Sequence, residues 1–272
     1  MRGKSTIAVA AAFATALAVA AVAAAAVTPP PAIKSAGKIV FCTDATYPPE
    51  ESIPSGSTNP VGSDIDIGTA IAKQMGVGAS FKNTTFDSII AALKAKKCDA
   101  VISGMNDTSD RRKQVDFVDY LKVGQSIMVK KGNPEHLSSL ASLAGKNVSV
   151  ESGTTNRDFL AAQSAKLVKA GKKAINIKTF PKDTDAASAL KAGRVDAYFG
   201  DSPVAVYYAL KDKSFQVAGS PIAPIPIGIA IRKGDPLKAA TQKAINAIYA
   251  SGKMKSIVAK WGMSHAVTLL KK

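Results

Sequence analysis

The sequence predicts an α/β protein with two similar units, each a largely parallel β-sheet flanked by helices. Strand-like and helix-like segments alternate along most of the 272 residues, which is typical of parallel sheets with helical crossovers. The alternation starts again near residue 137, so a second unit follows the first. Extended segments near 123–126 and at 221–226 connect the units. Two such crossings predict two lobes and a cleft that closes around a small ligand by hinge motion.

The first unit alternates short apolar strands with helices whose apolar residues recur at helical spacing. Its predicted elements, in order, are a strand at 38–43, a helix at 65–75, a strand at 79–83, a helix opened by a capping box at Thr84 and Asp87, and a strand at 99–102. Polar loops follow the first and last of these strands, where open α/β sheets bind ligands.

The second unit repeats this order and is followed by a return to the first. A strand at 125–130 leads away from the first unit. The predicted elements of the second unit are strands at 147–151, 175–180 and 194–200, helices at 157–170 and 183–192, and a helix that begins within 201–204. A strand at 227–232 and a helical segment at 237–261 complete the chain. We therefore expect one lobe to comprise 37–123 and 227–272, and the other 127–220.

Residues 1–26 have the features of a cleaved secretory signal. Arg2 and Lys4 precede an alanine-rich apolar run at 7–27 that has small residues near its end. An uncleaved membrane anchor is the alternative, but the run has few leucines, and alanine favours membrane insertion much less than leucine. We therefore expect a periplasmic or secreted protein. Lipid attachment is not expected, because no cysteine directly follows the run.

The formal net charge of +16 raises the question of an anionic partner. The 36 lysines and arginines are spread over predicted helices and turns, with no run of five or more. They are also not interleaved with aromatic residues, as they are on surfaces that bind single-stranded nucleic acid. We therefore expect no nucleic-acid partner and place these lysines on solvated faces.

The chain has two cysteines, Cys42 and Cys98, so one disulfide is possible in an oxidising compartment. We place them near opposite ends of two different strands, an offset that exceeds disulfide reach, and therefore expect buried free thiols. His136 and His265 stand alone, and no spacing resembles a metal site. Neither a metal nor a cofactor is expected.

The stretch 103–112 is the most informative part of the chain, because it places Arg111 in the first turn of a short polar helix. A cation at a helix start opposes the helix dipole. A nearby anionic ligand would explain it, and a carboxylate fits best, since a guanidinium holds it through two parallel hydrogen bonds. The alternative is a solvated arginine in a basic protein.

The chain resembles the periplasmic polar amino-acid-binding proteins of ABC transporters, solute-binding family 3. The matching motifs run in the family's order from about residue 37 to 264. They are DATYPP at 44–49, GSDID at 62–66, FDS at 86–88, DAVISGM at 99–105, Thr108 with Arg111, VDF at 115–117, GK-V at 145–148, SGT at 152–154, AGRVD at 192–196, D-PV at 201–204 and KWG at 260–262. The resemblance implies the two-lobed type II periplasmic-binding-protein fold.

The resemblance also implies how the backbone groups of a free L-amino acid are bound. Arg111 would pair with the α-carboxylate, assisted by the backbone N–H groups of Thr154 and Thr155 at a helix start. Asp201 would accept from the α-ammonium group, although a helix N-cap is an alternative role for it. Ser103 and the carbonyl of Gly104 would assist Asp201. Because buried charges need partners, a zwitterion would be held fully only when the lobes close.

Five further positions would contact the ligand side chain. Tyr47 and Phe86 resemble the family's two rings that enclose it, with loop shielding and core packing as their alternatives. Asn106 matches a pocket position and can equally be a turn residue. Asp44 and Glu151 add carboxylates that favour a basic amino acid. Asp44 is, however, widespread in the family, and Glu151 can point to solvent, so another polar amino acid remains open.

The implied function is capture of a free polar amino acid, a basic one by first preference, and its delivery to an ABC permease by a monomer. The chain departs from the family at Glu50 and Ser63, which affects the shape of one wall. A cyclohexadienyl dehydratase-like enzyme on the same fold is the first alternative, with Glu151 as its only candidate general acid. An amino-acid sensor that acts through a separate partner is the second. We expect no enzymatic activity.

Overall fold

The computed structural model describes residues 27–271, so the expected signal at 1–26 lies outside the described part. The α/β class is confirmed. The helices are α1 (Pro31–Ala36), α2 (Ser63–Gln74), α3 (Ile89–Lys94), α4 (Ser109–Arg112), α5 (Thr155–Lys169), α6 (Asp183–Lys191), α7 (Ser202–Lys211), α8 (Leu237–Ala250) and α9 (Lys253–Lys260), with 3-10 turns at Phe86–Ser88 and Leu140–Leu143.

Several strands lie close to their predicted positions. The strands are β1 (Lys38–Thr43), β2 (Thr46–Tyr47), β3 (Glu51–Ser52), β4 (Gly78–Asn83), β5 (Ala100–Val101), β6 (Val115–Lys130), β7 (Asn147–Glu151), β8 (Asn176–Phe180), β9 (Ala197–Asp201), β10 (Phe215–Arg232) and β11 (Val267–Leu269). Of these, β6 and β10 extend well beyond the predicted 125–130 and 227–232. The sequence did not predict α1, β11 or the β2–β3 hairpin, which lies in the segment expected to be a loop.

In the described part of the chain, β2 and β3 pair as a separate small sheet, and the other strands form one sheet in the order β4-β1-β5-β10-β6-β9-β7-β8, with β11 paired to β6. Pairing is parallel on both sides of the sheet, between β1 and its neighbours β4 and β5, and between β7 and its neighbours β8 and β9. We call the side with β1, β4 and β5 the first lobe and the side with β7, β8 and β9 the second lobe.

Two long strands, β6 and β10, cross between the lobes and pair with each other antiparallel. Their pairing shifts register between Ala218 and Ile222 and again between Ile222 and Ile225. The crossings therefore bend where prolines at 221, 224 and 226 interrupt the sequence, because proline cannot donate to a ladder. The two-lobed fold is thus present, while the expected lobe boundaries and hinge positions stay a prediction.

Each lobe has its own buried core. Ile39, Ile67 and Ile245 belong to a cluster between the first-lobe sheet and helices α2, α8 and α9. Val148 and Phe199 belong to a cluster in the second lobe. Within residues 27–271, none of the helices combines the length and the apolar character needed to span a bilayer.

The expectation of free thiols is wrong, because Cys42 and Cys98 form a disulfide with their Cα atoms 5.7 Å apart. The strand expected to start at 99 begins at Ala100, and Cys98 lies in the bend before it. Its position therefore does not follow the strand register, which pairs Cys42 with Val101. The bend brings the two side chains together.

The predicted capping box is also wrong. The Thr84 hydroxyl donates to the Lys82 carbonyl, and the 3-10 turn that starts at Phe86 has no side-chain cap. The Thr85 and Ser88 hydroxyls are bonded to each other instead. This chain segment enters α3 through the 3-10 turn, which places the backbone N–H of Phe86 near the end of β1.

Candidate ligand-binding site

A narrow cavity lies between the lobes, where loops at strand ends from both sides meet. The lining residues are Tyr47, Phe86, Ser103, Gly104 and Asn106 of the first lobe, and Glu151, Thr154, Asn156 and Asp201 of the second lobe. Three further sequence-predicted residues, Asp44, Arg111 and Thr155, each bond to a lining residue from outside.

The first-lobe wall is the loop after β5. Gly104 has φ +49°, and a Cβ there would lie 3.2 Å from the Tyr47 ring, so this position favours glycine. The Gly104 N–H donates to the Asp64 carboxylate at 2.7 Å. Ser103 lies beside it, 1% exposed. The loop is therefore held rigidly against the hairpin that carries Tyr47.

Arg111 lies on α4 at the edge of the cavity. Its backbone N–H donates to the N-cap hydroxyl of Thr108 at 3.2 Å. The guanidinium donates to the Asn106 carbonyl at 2.9 Å and, across the cleft, to the Gly153 carbonyl at 3.2 Å. It also lies 5.3 Å from the centroid of the Phe86 ring. Burial lowers the pKa of Arg111, and the negative charge of Asp201 partly offsets this effect.

The second-lobe wall is the loop between β7 and α5. Thr154 caps α5, because its hydroxyl accepts from the Arg157 N–H at 3.2 Å and donates to the Glu151 carbonyl at 2.8 Å. The neighbouring Thr155 hydroxyl is bonded to the Asn106 side-chain oxygen of the other lobe. A Cβ at Gly153 would lie 2.7 Å from the Asp87 Cα, so the lobes touch closely here.

Asp201 ends β9 and is 2% exposed. Its side chain makes no capping hydrogen bond to α7, so the cap does not explain its presence. Burial raises the pKa of Asp201 to about 7, while hydrogen bonds from Asn156 and Tyr47 and the charge of Arg111 act in the opposite direction. Its Oδ1 atom is buried without a partner in the protein.

Two further buried side chains face the cavity with free acceptor atoms, Oε1 of Glu151 and Oδ1 of Asn156. Burial raises the pKa of Glu151 well above its usual range, and the charges of Asp183, Asp44 and Asp201 add to this effect. The sequence reasoning missed Asn156. Its place two residues after Thr154, in the first turn of the same helix, is the signal that could have found it.

Asp44 does not line the cavity. Its carboxylate accepts from the Thr46 hydroxyl and from the Phe86 backbone N–H, both at 2.7 Å. Both oxygens are therefore engaged within the first lobe, and Asp44 positions Phe86. The Phe86 ring also packs partly against the cluster that contains Ile89, so ring and core roles coexist.

The geometry favours a small ligand that carries both charges. Arg111 and the partnerless Asn106 amide nitrogen are donors on the first lobe, and the free oxygens of Glu151, Asn156 and Asp201 are acceptors on the second. Among residues 27–271, no group of histidine, cysteine and acidic side chains is arranged to hold a metal ion. This is a two-lobed site for a charged organic solute.

Comparison with known proteins agrees with this class. Residues 39–264 match the bacterial extracellular solute-binding proteins, family 3, and the chain belongs to this family. The ABC transporter arginine-binding protein 1 of Escherichia coli (strain K12) is 35% identical over 238 residues, which cover 84% of this chain and 91% of that protein.

Two solved structures are similar. An ancestral arginine-binding protein bound to arginine has a TM-score of 0.75 at 38% identity, covering 83% of this chain and 98% of that one. The ancestral amino acid-binding protein AncCDT-1, a precursor of cyclohexadienyl dehydratase, has a TM-score of 0.77 at 35% identity, covering 85% and 97%. The chain is thus a solute-binding protein of the amino-acid-binding kind.

Proposed function

We propose that this protein binds a free amino acid with a basic side chain between its lobes and delivers it, as a monomer, to an ABC permease. The observation that carries the proposal is the placement of Arg111 and Asp201 on opposite lobes at one cavity. A guanidinium pairs with an α-carboxylate through two hydrogen bonds, and a buried carboxylate pairs with an α-ammonium group. Because the two residues lie on opposite lobes, the two pairs form together only when the cleft is closed.

The preference for a basic side chain rests on the second lobe. Glu151 offers a buried oxygen without a protein partner, and a cationic side chain would occupy that oxygen and favour the ionised form of Glu151. The similar proteins named for arginine agree with this choice. Asp44 contributes less, because its oxygens are already engaged.

Isothermal titration calorimetry of the purified protein tests the two charged contacts. Arg111→Ala and Asp201→Ala should each weaken binding by several kcal/mol, because each leaves one ligand charge buried and unpaired, while the melting temperature without ligand stays close to native. Arg157→Ala is the matched control for Arg111, since its guanidinium pairs with exposed Asp158. Near-native affinity in both cavity variants would refute the site.

The hinge belongs to the same proposal. We place it in the paired crossings near 123–126 and 221–226, with 37–123 and 227–272 in one lobe and 127–220 in the other. The register shifts of β10 support this placement, since interrupted ladders bend more easily than continuous ones. Small-angle scattering should show a smaller radius of gyration with ligand than without.

The enzyme alternative draws support from the likeness to AncCDT-1. The raised pKa of Glu151 would keep a proton available for general-acid catalysis. Asp201 is a second titratable group with a free oxygen at the cavity. In the binding scheme it holds the α-ammonium group, and we propose that the protein is not an enzyme. Incubation with prephenate or arogenate should give no turnover, and any turnover above that of Glu151→Gln would contradict the proposal.

We propose export by a cleaved signal at 1–26, because the family is extracellular by description and the segment has a signal's sequence features. N-terminal sequencing of exported protein should give a start near residue 27, and a start at Met1 would contradict cleavage.

A further inference from the structure

Two buried carboxyl groups lie behind the first-lobe wall and have no role in the binding scheme above. Glu51 and Asp64 are each 0% exposed. The Ser103 hydroxyl donates to Glu51 Oε1 at 2.7 Å, and the Gly104 N–H donates to Asp64 Oδ2 at 2.7 Å. Neither carboxyl forms an ion pair within the described residues. Each carboxyl group therefore accepts a hydrogen bond from the loop that faces the ligand.

The hydrogen bonds of Ser103 restrict what it can offer a ligand. A hydroxyl has one proton to donate and two lone pairs that accept. The proton is directed at Glu51, and one lone pair accepts from the Asp44 backbone N–H at 2.9 Å. Since Ser103 lines the cavity, the capacity left for the ligand is a single lone pair.

We propose that Glu51 is a positioning residue that fixes Ser103 as a hydrogen-bond acceptor toward the ligand's α-ammonium group. With the Ser103 proton held behind the wall, the loop presents an acceptor where Asp201 of the other lobe presents a carboxylate. The site then favours α-amino acids over α-keto acids and deaminated acids, which have no ammonium donor. This inference rests on the proposed function.

The charges around Glu51 are compatible with this role in either protonation state. Asp64 on α2, Glu50 on the hairpin and Asp44 after β1 face it and, together with burial, raise the pKa of Glu51 well above its usual range. A neutral carboxyl keeps a carbonyl oxygen that accepts from Ser103, and an ionised one accepts at both oxygens. The Tyr120 hydroxyl donates to Asp64, and Glu51 bonds to Asp64 as well as to Ser103.

A double-mutant cycle tests the proposal, with L-arginine and its analogue lacking the α-amino group as probes in calorimetry. Ser103→Ala and Glu51→Met should each weaken L-arginine binding by about tenfold or more, the usual range for a hydrogen bond to a charged group. The double variant should bind no worse than Ser103→Ala alone. Binding of the deaminated analogue should change less than threefold in all three.

Glu50→Met is the matched control. It removes a carboxyl that is equally buried on the same hairpin, 1% exposed, but that is not bonded to Ser103. Glu50→Met should leave unchanged the ratio of the dissociation constants for the deaminated analogue and for L-arginine. Glu51→Gln, whose amide oxygen can accept the Ser103 proton, should keep this ratio at its native value, unlike Glu51→Met. The proposal is overturned if the effects of Ser103→Ala and Glu51→Met add, or if both probes weaken equally.

If Glu51→Met does not fold, the test rests on Glu51→Gln. This variant must keep the native ratio of the dissociation constants for the two probes, and a changed ratio overturns the proposal. Failure of the native protein to bind any of the twenty amino acids would instead refute the proposed function. The two failures are therefore distinguishable.

Discussion

The Tyr47 hydroxyl accepts a hydrogen bond from the Asp201 backbone N–H at 3.1 Å, and this contact joins the two lobes. Tyr47 belongs to the first-lobe hairpin, yet its ring packs in a second-lobe cluster with Tyr198 and Val204. The adjacent Thr46 hydroxyl accepts from the Asp183 backbone N–H at 3.2 Å. The hairpin thus stabilises the closed arrangement in addition to lining the cavity.

Tyr47→Phe should therefore weaken ligand binding by about 1–3 kcal/mol, because it leaves a buried N–H without an acceptor in the closed form. The loss should appear mainly as faster ligand dissociation in stopped-flow measurements. Tyr249→Phe is the control, since its hydroxyl bonds to the Tyr120 carbonyl within the first lobe and should affect stability only. Equal dissociation rates in native protein and Tyr47→Phe would contradict this role.

Ligand affinity should rise with pH up to about 7. Without ligand, Asp201 keeps its proton up to a pKa of about 7, but an α-ammonium group needs the carboxylate form. Binding below this pH must release a proton, so affinity should fall by up to tenfold per pH unit from 7 toward 5. Calorimetry in buffers of different ionisation enthalpy measures the released proton. In Asp201→Asn the release should be smaller than in native protein, and Glu151, whose pKa burial also raises, accounts for any release that remains. A native protein without proton release at pH 6 would contradict the assignment.

The raised pKa of Asp201 also makes stability depend on pH, but stability falls as pH rises, whereas ligand affinity increases. Since the folded-state pKa of Asp201 exceeds its usual value of 3.8, the unfolded chain loses this proton first as pH rises. Asp201 therefore lowers the stability of the ligand-free protein progressively between about pH 4 and pH 7. Asp201→Asn should reduce this decline in urea titrations. The remaining decline should come from the other carboxyls whose pKa burial raises, which include Asp183, Asp64, Glu50, Glu51 and Glu151.

Arg111→Lys should bind ligand about 10- to 100-fold more weakly than native protein, although the charge is kept. A lysine ammonium cannot make the two parallel bonds of a guanidinium to a carboxylate. It also cannot reach the Asn106 and Gly153 carbonyls at the same time as the ligand. Calorimetry checks the affinity, and Arg112→Lys, on the same helix and paired with Asp107, is the control.

Removal of the disulfide should cost about 2–5 kcal/mol of stability, because the bond constrains a long loop in the unfolded chain. The sequence separation of Cys42 and Cys98 is 56 residues. Thermal melts of exported protein should show a lower melting temperature for Cys42→Ala with Cys98→Ala than for native protein. Detection of two free thiols in native protein denatured without reductant would contradict the bond.

The sequence predicted the elements whose signals are local. Strands at 38–43 and 147–151 lie where the apolar runs placed them. The long crossings β6 and β10 were predicted only in part, because Gly124 and the prolines of 221–226 interrupt patterns that continue as paired strands. Pairing with a distant partner, which the sequence does not display, holds these segments extended.

The candidate site was likewise predictable from the sequence only in part. Most of the residues named from the motifs line the cavity between the lobes, since loops at strand ends must meet at the cleft. They could not show that the oxygens of Asp44 turn to Thr46 and Phe86, because that choice depends on side-chain rotamers. Nor could they show that Cys98 approaches Cys42, since a bend rather than a strand sets its position.

A thermal-shift screen of the exported protein against the twenty amino acids tests the central claim most directly. A ligand present at about 100 times its Kd stabilises by about 2.7 kcal/mol, which for a chain of this size raises the melting temperature by about 5–10 °C. We expect this response to arginine or another basic amino acid, and its loss in Arg111→Ala and Asp201→Ala. A response to aspartate or glutamate alone would contradict the basic preference, and no response to any amino acid would contradict the proposed function.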